Sequence, residues 1–317
     1  MPDRGASGAG HSGIAQLMGN RMKNSLRLNL YSMAAVWFAM IGSAQEASRD
    51  TKPEARVGIV EQPCAPTMAL PAAVRDLLVE LFIEPRKLVS ADFERLMSNE
   101  QFKVFMSETR ELAAEDWPGL CRYRVANASV LTGSASARVV LMGDSITENW
   151  GLADPGFFQD GVVNRGIGGQ TTPQILVRFR ADVIALRPEV VHILAGTNDV
   201  AGNTGPTRAQ DFKDNIMSMA ELARAHHIRV ILGSIPPSAA FNWRPQLDPV
   251  PRIRELNSWL RDYAAQNGFD YIDYYSQLAG ASGELNAGLG NDGVHPNRAG
   301  YRVMRGLLEK KLAKPRR

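Results

Sequence analysis

The sequence has few of the residues that would place it outside ordinary globular proteins. Its 317 residues include two cysteines and five histidines, with 7% aromatic and 22% charged residues. Two cysteines are too few for a disulfide-rich scaffold, and no C-x-x-C pair or His/Cys cluster indicates a metal site. Apolar residues make up 44% of the chain. This composition allows a sizeable core and excludes collagen-like, coiled-coil and multi-span membrane proteins.

The chain also lacks a strong excess of either charge. Its formal net charge is +3, and residues 1–44 contain four basic residues against one acidic residue. The remainder, 45–317, is therefore balanced. A chain with balanced charge lacks the basic surface that attracts nucleic acids and anionic membranes, so we expect neither as a partner.

The N-terminal segment has the pattern of a secretion signal. Basic residues precede an apolar stretch of about 14 residues from Leu28 to Ile41, and three small residues follow it. This stretch is shorter than the roughly 20 residues that span a bilayer. We predict a disordered leader and signal peptide over 1–44, cleavage after Ala44, export to the periplasm or the medium, and no transmembrane segment after cleavage. An uncleaved N-terminal anchor is the alternative, and Met22 is a second candidate start.

The two cysteines, Cys64 and Cys121, both lie beyond this signal. In an oxidising compartment they can form a disulfide bond that closes a long loop and stabilises the fold by about 2–4 kcal/mol. Two separate buried thiols are an equally good interpretation, because spacing alone does not determine pairing.

The rest of the chain divides into three segments. Residues 45–68 are polar and contain three prolines, which is typical of a linker. Residues 69–135 form a helical prefix of two or three helices, since apolar residues from Val74 to Leu81 recur at helical spacing. In residues 136–317, apolar runs of strand length alternate with helical patterns.

Five of these runs predict a parallel sheet. They begin at Arg138, Val162, Val190, Arg229 and Phe269. Strands that are apolar on both faces belong to parallel sheets covered by helices, so the fold class is α/β, a three-layer α/β/α sandwich with a five-stranded parallel sheet. Ligands of such sheets bind beyond the carboxyl ends of the strands. We therefore expect the reactive residues to follow the apolar runs.

Residues that can serve in catalysis do follow the apolar runs. Ser145 comes after the first run, the glycine-rich residues 166–169 after the second and Asn198 after the third, and Asp292-x-x-His295 precedes the last helix. A serine at a strand-to-helix turn exposes its hydroxyl, and the helix N-terminus directs N–H groups at an oxyanion formed there. An aspartate three residues before a histidine can orient the imidazole, which then accepts the serine proton.

Taken in order, these four blocks resemble those of the SGNH hydrolases, also called the GDSL esterase and lipase family. The resemblance extends over about residues 138–313. It implies a catalytic triad in which Ser145 is the nucleophile, His295 is the base and Asp292 orients that base. The helical prefix lies outside the resemblance.

The same resemblance implies an oxyanion hole made by the N–H groups of Ser145 and Gly169 and by the side chain of Asn198. The glycine block reads GIGGQTT and looks like that of the branch with platelet-activating-factor acetylhydrolase-like and carbohydrate acetylesterases. The choice of Gly169 over Gly168 depends on this match.

The function implied is that of a serine esterase acting through an acyl-enzyme, without a metal or an organic cofactor. The expected substrate is a small-molecule or polysaccharide ester, with short acyl groups such as acetyl on carbohydrates or lipids. Trp150 and Trp243 are candidate substrate contacts, with core packing as the alternative. A non-catalytic envelope protein that binds glycan or lipid, and a lysophospholipase or thioesterase that prefers long acyl chains, are the competing hypotheses.

Overall fold

A computed structural model describes residues 59–65, 69–133 and 136–313 of the protein. The predicted signal peptide, its cleavage position and most of the predicted linker lie outside these residues. Within the described part of the chain, no helix combines the length and the apolar character needed to cross a membrane.

The centre of the fold is one parallel sheet of five strands, as predicted from the apolar runs. The order across the sheet is β2-β1-β3-β4-β5. The chain direction across the sheet reverses at β1, so the crevice between the ends of β1 and β3 is the switch point at which α/β proteins bind ligands. The strands are β1 (Val139–Gly143), β2 (Val162–Gly166), β3 (Val190–Leu194), β4 (Arg229–Gly233) and β5 (Asp270–Ile272).

Helices cover both faces of this sheet. In chain order the α-helices of the described residues are α1 (Ala72–Leu78), α2 (Ser90–Ser98), α3 (Glu100–Glu115), α4 (Arg124–Thr132), α5 (Ser145–Ala153), α6 (Thr172–Asp182), α7 (Thr197–Ala201), α8 (Ala209–Ala225), α9 (Val250–Asn267), α10 (Tyr274–Leu278) and α11 (Arg298–Leu312).

Alternate residues of each strand pack against opposite helical layers. On β1, Val140 and Met142 belong to the core shared with α6, α8 and α9. Val139 and Leu141 belong to the core shared with α5, α10 and α11. Successive side chains of a strand point to opposite faces of the sheet, and both faces are buried under helices. Every residue of the strand is therefore in one core or the other, which explains why the strands are continuous apolar runs in the sequence. The predicted three-layer sandwich is confirmed.

The N-terminal helices α1–α3 enclose a smaller core of their own. Val74, Leu81 and Phe102 are among its fully buried members, and α1 continues into a π-helical turn over Val79–Ile83. A disulfide bond joins Cys64 to Cys121, which lies between α3 and α4. The short segment 59–65 is thereby tied to the end of the helical region next to the sheet.

Candidate active site

Ser145 occupies the first position of α5, directly after β1. The preceding Asp144 is the N-cap residue, and its Oδ1 accepts a hydrogen bond of 2.9 Å from the N–H of Ile146. At the end of β1 only glycine fits, because a Cβ on Gly143 would overlap the carbonyl oxygen of Leu194 and the side chain of Thr147. The strand can therefore turn sharply into the helix and present the serine at the carboxyl edge of the sheet.

A serine, a histidine and an aspartate are hydrogen-bonded in series at this edge. Ser145 Oγ lies 3.0 Å from His295 Nε2, and His295 Nδ1 lies 2.7 Å from Asp292 Oδ2. The other carboxylate oxygen of Asp292 accepts the backbone N–H groups of Val294 at 2.9 Å and His295 at 2.8 Å. Burial raises the pKa of Asp292, but the charge and hydrogen bonds of His295 outweigh burial and leave this pKa below its ordinary value.

The turn that carries Asp292 and His295 is fixed from two sides. Gly293 adopts a φ of +83°, which glycine tolerates without strain. Asn291 donates from its side chain to the carbonyl oxygens of Leu81 at 2.9 Å and Glu84 at 2.7 Å, both in the N-terminal region. The helical prefix thus contacts the loop of the histidine directly.

Three hydrogen-bond donors of the predicted oxyanion hole follow β1, β2 and β3. Within the described residues, neither the N–H of Ser145 nor that of Gly169 donates a hydrogen bond, and Gly169 has a φ of +74°. Asn198 Nδ2 donates to the carbonyl oxygen of Gln170 at 3.0 Å and approaches Asp144 Oδ2 at 3.3 Å. The amide is therefore oriented towards the glycine loop and the start of α5.

Two buried carboxylates beside these residues were not predicted as part of the site. Burial raises the pKa of Asp144 to about 7 and that of Asp199 to about 6. Asp199 accepts hydrogen bonds from the N–H and the hydroxyl of Thr172 and so ties α7 to the start of α6. Each acid is the chain neighbour of a predicted residue, Ser145 or Asn198, and this adjacency was the available signal in the sequence.

The structure corrects the expectation that Trp150 contacts substrate. Its side chain is fully buried, and the ring stacks on Phe157 and packs against Tyr301 in the core. The physical reason is helical geometry: five residues correspond to about 500° of rotation, so Trp150 faces away from Ser145.

Trp243 is also buried rather than open to the crevice. Its ring packs with Phe241 and Val294, and its Nε1 donates to Asn203 Oδ1 at 3.0 Å. Asn203 in turn donates from Nδ2 to Asn198 Oδ1 at 2.7 Å. Trp243 therefore lies behind the site and supports Asn198 through one intermediate residue.

His192 is a buried core histidine in the middle of β3. Its Nε2 is 3.1 Å from the Tyr274 hydroxyl, and burial lowers its pKa to about 3. Among the described residues, no three His, Cys, Asp or Glu side chains cluster in a way that could hold a metal ion.

A Ser–His–Asp series at the carboxyl edge of a five-stranded parallel sheet defines a serine hydrolase type of site on an α/β/α sandwich. The chain belongs to the GDSL-like lipase/acylhydrolase family, whose family model matches residues 141–303. This membership places it among the carboxylic ester hydrolases.

Known proteins resemble part of this chain. A solved structure from Bacteroides fragilis, described as an acylhydrolase, is 46% identical, covers 62% of this chain and 97% of that one, and superposes with a TM-score of 0.60. Esterase TesA of Pseudomonas aeruginosa is 31% identical over 186 residues, which are 53% of this chain and 84% of TesA. An uncharacterized Bacillus subtilis lipoprotein, YqeF, is 38% identical over 89 residues, 27% of this chain and 37% of YqeF.

Proposed function

We propose that this protein is a serine esterase that hydrolyses acyl esters through an acyl-enzyme intermediate. Ser145 is the nucleophile, His295 the general base and acid, and Asp292 the residue that orients the imidazole. The observation that carries the proposal is the unbroken hydrogen-bonded series from Ser145 Oγ through both nitrogens of His295 to Asp292. A protein that only binds a glycan or a lipid has no need of this series.

The reaction follows from the order of these contacts. An ionised Asp292 accepts the Nδ1–H of His295, so that Nε2 is free to take the proton of Ser145 as Oγ attacks the ester carbonyl. The same nitrogen then donates that proton to the departing alcohol, which leaves an acyl group on Ser145. Water attacks the acyl-serine, gives a proton to His295 and releases the carboxylic acid, and Ser145 recovers its proton.

The negative charge of the tetrahedral intermediate is met by the N–H groups of Ser145 and Gly169 and by Asn198 Nδ2. In support of this role, the two backbone donors make no other hydrogen bond within the described residues. Each such donor typically lowers the barrier by about 2.7–4 kcal/mol in a site that excludes water.

We infer that the substrates carry short acyl groups, acetyl included, on carbohydrates or lipids outside the cytoplasm. Two observations support the exported setting. The Cys64–Cys121 disulfide bond is of the kind that persists in oxidising compartments. One relative, YqeF, is a lipoprotein.

The test of the chemistry is Ser145→Ala with p-nitrophenyl acetate as substrate. We expect turnover to fall by about 10³-fold or more, because the nucleophile is lost while the fold is kept. A fluorophosphonate probe should label the parent protein at Ser145 and leave the variant unlabelled. Turnover within a few-fold of the parent would contradict the assignment, and an unlabelled parent would favour the binding protein.

Acyl length is measured with nitrophenyl esters from C2 to C16 beside acetylated xylan. Fastest turnover of the acetyl and butyryl esters, together with release of acetate from xylan, is the expected result. A preference for C8 or longer chains would replace the short-acyl proposal with the lysophospholipase or thioesterase alternative.

A further inference from the structure

A segment of the N-terminal region packs directly on the loop that carries Gly169. We call residues 117–123, between α3 and α4, the buttress segment, and we call residues 166–171, from the last residue of β2 to the start of α6, the glycine loop. Three hydrogen bonds connect this segment with the glycine loop and the first turn of α6. Gln174 Nε2 donates to the carbonyl oxygen of Trp117 at 2.7 Å, Gln170 Nε2 donates to that of Pro118 at 2.8 Å, and the Tyr123 hydroxyl donates to that of Gly166.

A fourth connection runs through a buried carboxylate on the helix of the nucleophile. Glu148 lies three residues after Ser145 on α5 and is almost fully buried. Its Oε2 accepts the backbone N–H of Gly168 at 2.7 Å, and its Oε1 accepts Nη2 of Arg122 at 2.7 Å. One carboxylate therefore joins the nucleophile helix, the glycine loop and the buttress segment.

The hydrogen bond to Gly168 constrains the neighbouring peptide, whose N–H belongs to Gly169. Glycines in succession give this loop many accessible conformations, and Gly169 itself uses a positive φ of +74°. A charged acceptor makes a short and strong hydrogen bond with a backbone N–H. Because Glu148 is on the same helix as Ser145, it fixes the loop relative to the nucleophile.

Arg122 favours the charged form of this acceptor. Burial raises the pKa of Glu148 to about 8 even though Arg122 and the N–H of Gly168 both lower it, so the carboxyl group depends on these two partners for the ionisation that it has. The guanidinium is itself largely buried, with 17% of its side chain exposed, so the ion pair is weakly screened by solvent. Removing Arg122 would leave the buried carboxyl group without its counter-ion, so that it must either carry an uncompensated charge or take up a proton, and both weaken it as an acceptor of the N–H of Gly168.

We propose that Arg122 and Glu148 are positioning residues of the esterase, which hold Gly168 so that the N–H of Gly169 remains directed at the oxyanion. This inference rests on the proposed function. Arg122 lies outside the region 141–303 matched by the family. The helical prefix thereby takes part in catalysis, because it supplies the cation that keeps the glycine loop in its working geometry.

The test compares Arg122→Ala with Arg122→Ala combined with Glu148→Gln, in the full chain with p-nitrophenyl acetate. We expect Arg122→Ala to lower kcat by about 10- to 100-fold, with KM within about threefold, because a displaced oxyanion donor weakens the transition state more than the ground state. Adding Glu148→Gln should recover at least about fivefold of that loss, since a neutral amide oxygen still accepts the N–H of Gly168 without needing a counter-charge.

Arg229→Ala is the matched control. Arg229 forms a comparable partly buried ion pair with Asp270 at 2.7 Å, but at the start of β4, the edge of the sheet opposite the site. We expect its kcat to stay within about twofold of the parent even where its thermal stability falls. Thermal midpoints of all variants separate a loss of fold from a loss of positioning.

Two results would overturn the proposal. One is a kcat for Arg122→Ala no lower than that of Arg229→Ala, and the other is a double variant no more active than Arg122→Ala alone. In both cases the parent remains active and Ser145→Ala inactive, so the proposed function stands. Failure of the proposed function itself would show as full turnover by Ser145→Ala.

Discussion

Each polar side chain at the site has a partner on its far side that sets its direction. Asp292 fixes His295, and Asn203 fixes Asn198 by donating to its Oδ1 at 2.7 Å, which leaves Nδ2 facing the glycine loop and the start of α5. Trp243 anchors Asn203 in the same way. Preorganised dipoles of this kind cost no reorientation when charge develops, and this is the main source of their catalytic effect.

Asn198→Ala tests this arrangement at the scale of one residue. Loss of a single oxyanion donor should lower kcat by about 10²–10³-fold while KM changes little, because the amide acts on the transition state. Steady-state kinetics with p-nitrophenyl acetate measures both constants. Trp243→Phe, which removes the indole N–H behind Asn203 and makes the buried ring smaller, serves as the graded comparison and should cost less than Asn198→Ala. A change confined to KM would mean that Asn198 binds substrate rather than the oxyanion.

At the scale of elements, the junction between β1 and α5 determines where Ser145, the proposed nucleophile, lies. Gly143 packs against the backbone of Leu194 on the neighbouring strand, and Asp144 caps the helix. The last strand residue, Gly143, the N-cap residue, Asp144, and the first helical residue, Ser145, are consecutive in the sequence. No flexible loop therefore separates the sheet from the serine. Small backbone shifts here are transmitted directly to Ser145.

Gly143→Ala should therefore destabilise the protein and lower its activity together. The added methyl group meets the Leu194 carbonyl oxygen and the Thr147 side chain, and strand and helix must separate to admit it. We expect a loss of about 1–3 kcal/mol in the free energy of unfolding, measured with urea.

The control for this change is Gly306→Ala on α11, where an added Cβ meets nothing within 4 Å. Alanine is a better helix former than glycine, so this variant should gain about 0.5–1 kcal/mol. Equal stability of the two alanine variants would contradict the packing argument at Gly143.

The sequence was most informative where one element determines its own structure. All five strands begin within one residue of the apolar runs that predicted them, because a strand buried on both faces must be apolar throughout. The order of the serine, glycine, asparagine and Asp-x-x-His blocks also predicted that these residues lie close together, since parallel strands bring their carboxyl ends to one edge of the sheet.

Contacts between segments that are distant in the sequence could not be predicted in this way. The burial of Trp150 depends on which face of α5 meets the core, and the Arg122–Glu148 pair joins residues from different elements. Neither leaves a periodic pattern. The spacing of Cys64 and Cys121 likewise left their pairing open until the two chain segments were placed side by side.

At the scale of the whole molecule, buried titratable groups connect stability to pH. Burial raises the pKa of Asp144 to about 7, of Glu148 to about 8 and of Asp199 to about 6, all near the end of β1 and the crevice. Each carboxyl group costs stability as pH rises from about 4 towards its folded pKa, because only the unfolded chain ionises freely in that range. The buried His192 of β3 has the opposite effect, because the stability that it contributes is lost as pH falls.

His192→Gln isolates the contribution of the histidine. The folded pKa of His192 is about 3, below its ordinary value of 6.5, so between these values the unfolded chain binds a proton that the folded chain does not. Stability from this group is complete above pH 6.5 and is lost as pH falls, by up to about 1.4 kcal/mol per pH unit. The variant lacks this dependence and keeps the carboxylate contributions, which cancel in the comparison.

The measurement is the difference in unfolding free energy between the parent and His192→Gln, from urea titrations between pH 7.5 and 4.5. We expect this difference to shrink by about 2–3 kcal/mol towards the acidic end, because only the parent must bury a neutral imidazole that the unfolded state would protonate. The loss of the contact with Tyr274 shifts the difference by the same amount at every pH and leaves its slope unchanged. A difference that stays constant across this range would mean that the ring at position 192 binds its proton equally in both states, and its burial beside Tyr274 and Trp150 would then not govern the acid stability of the fold.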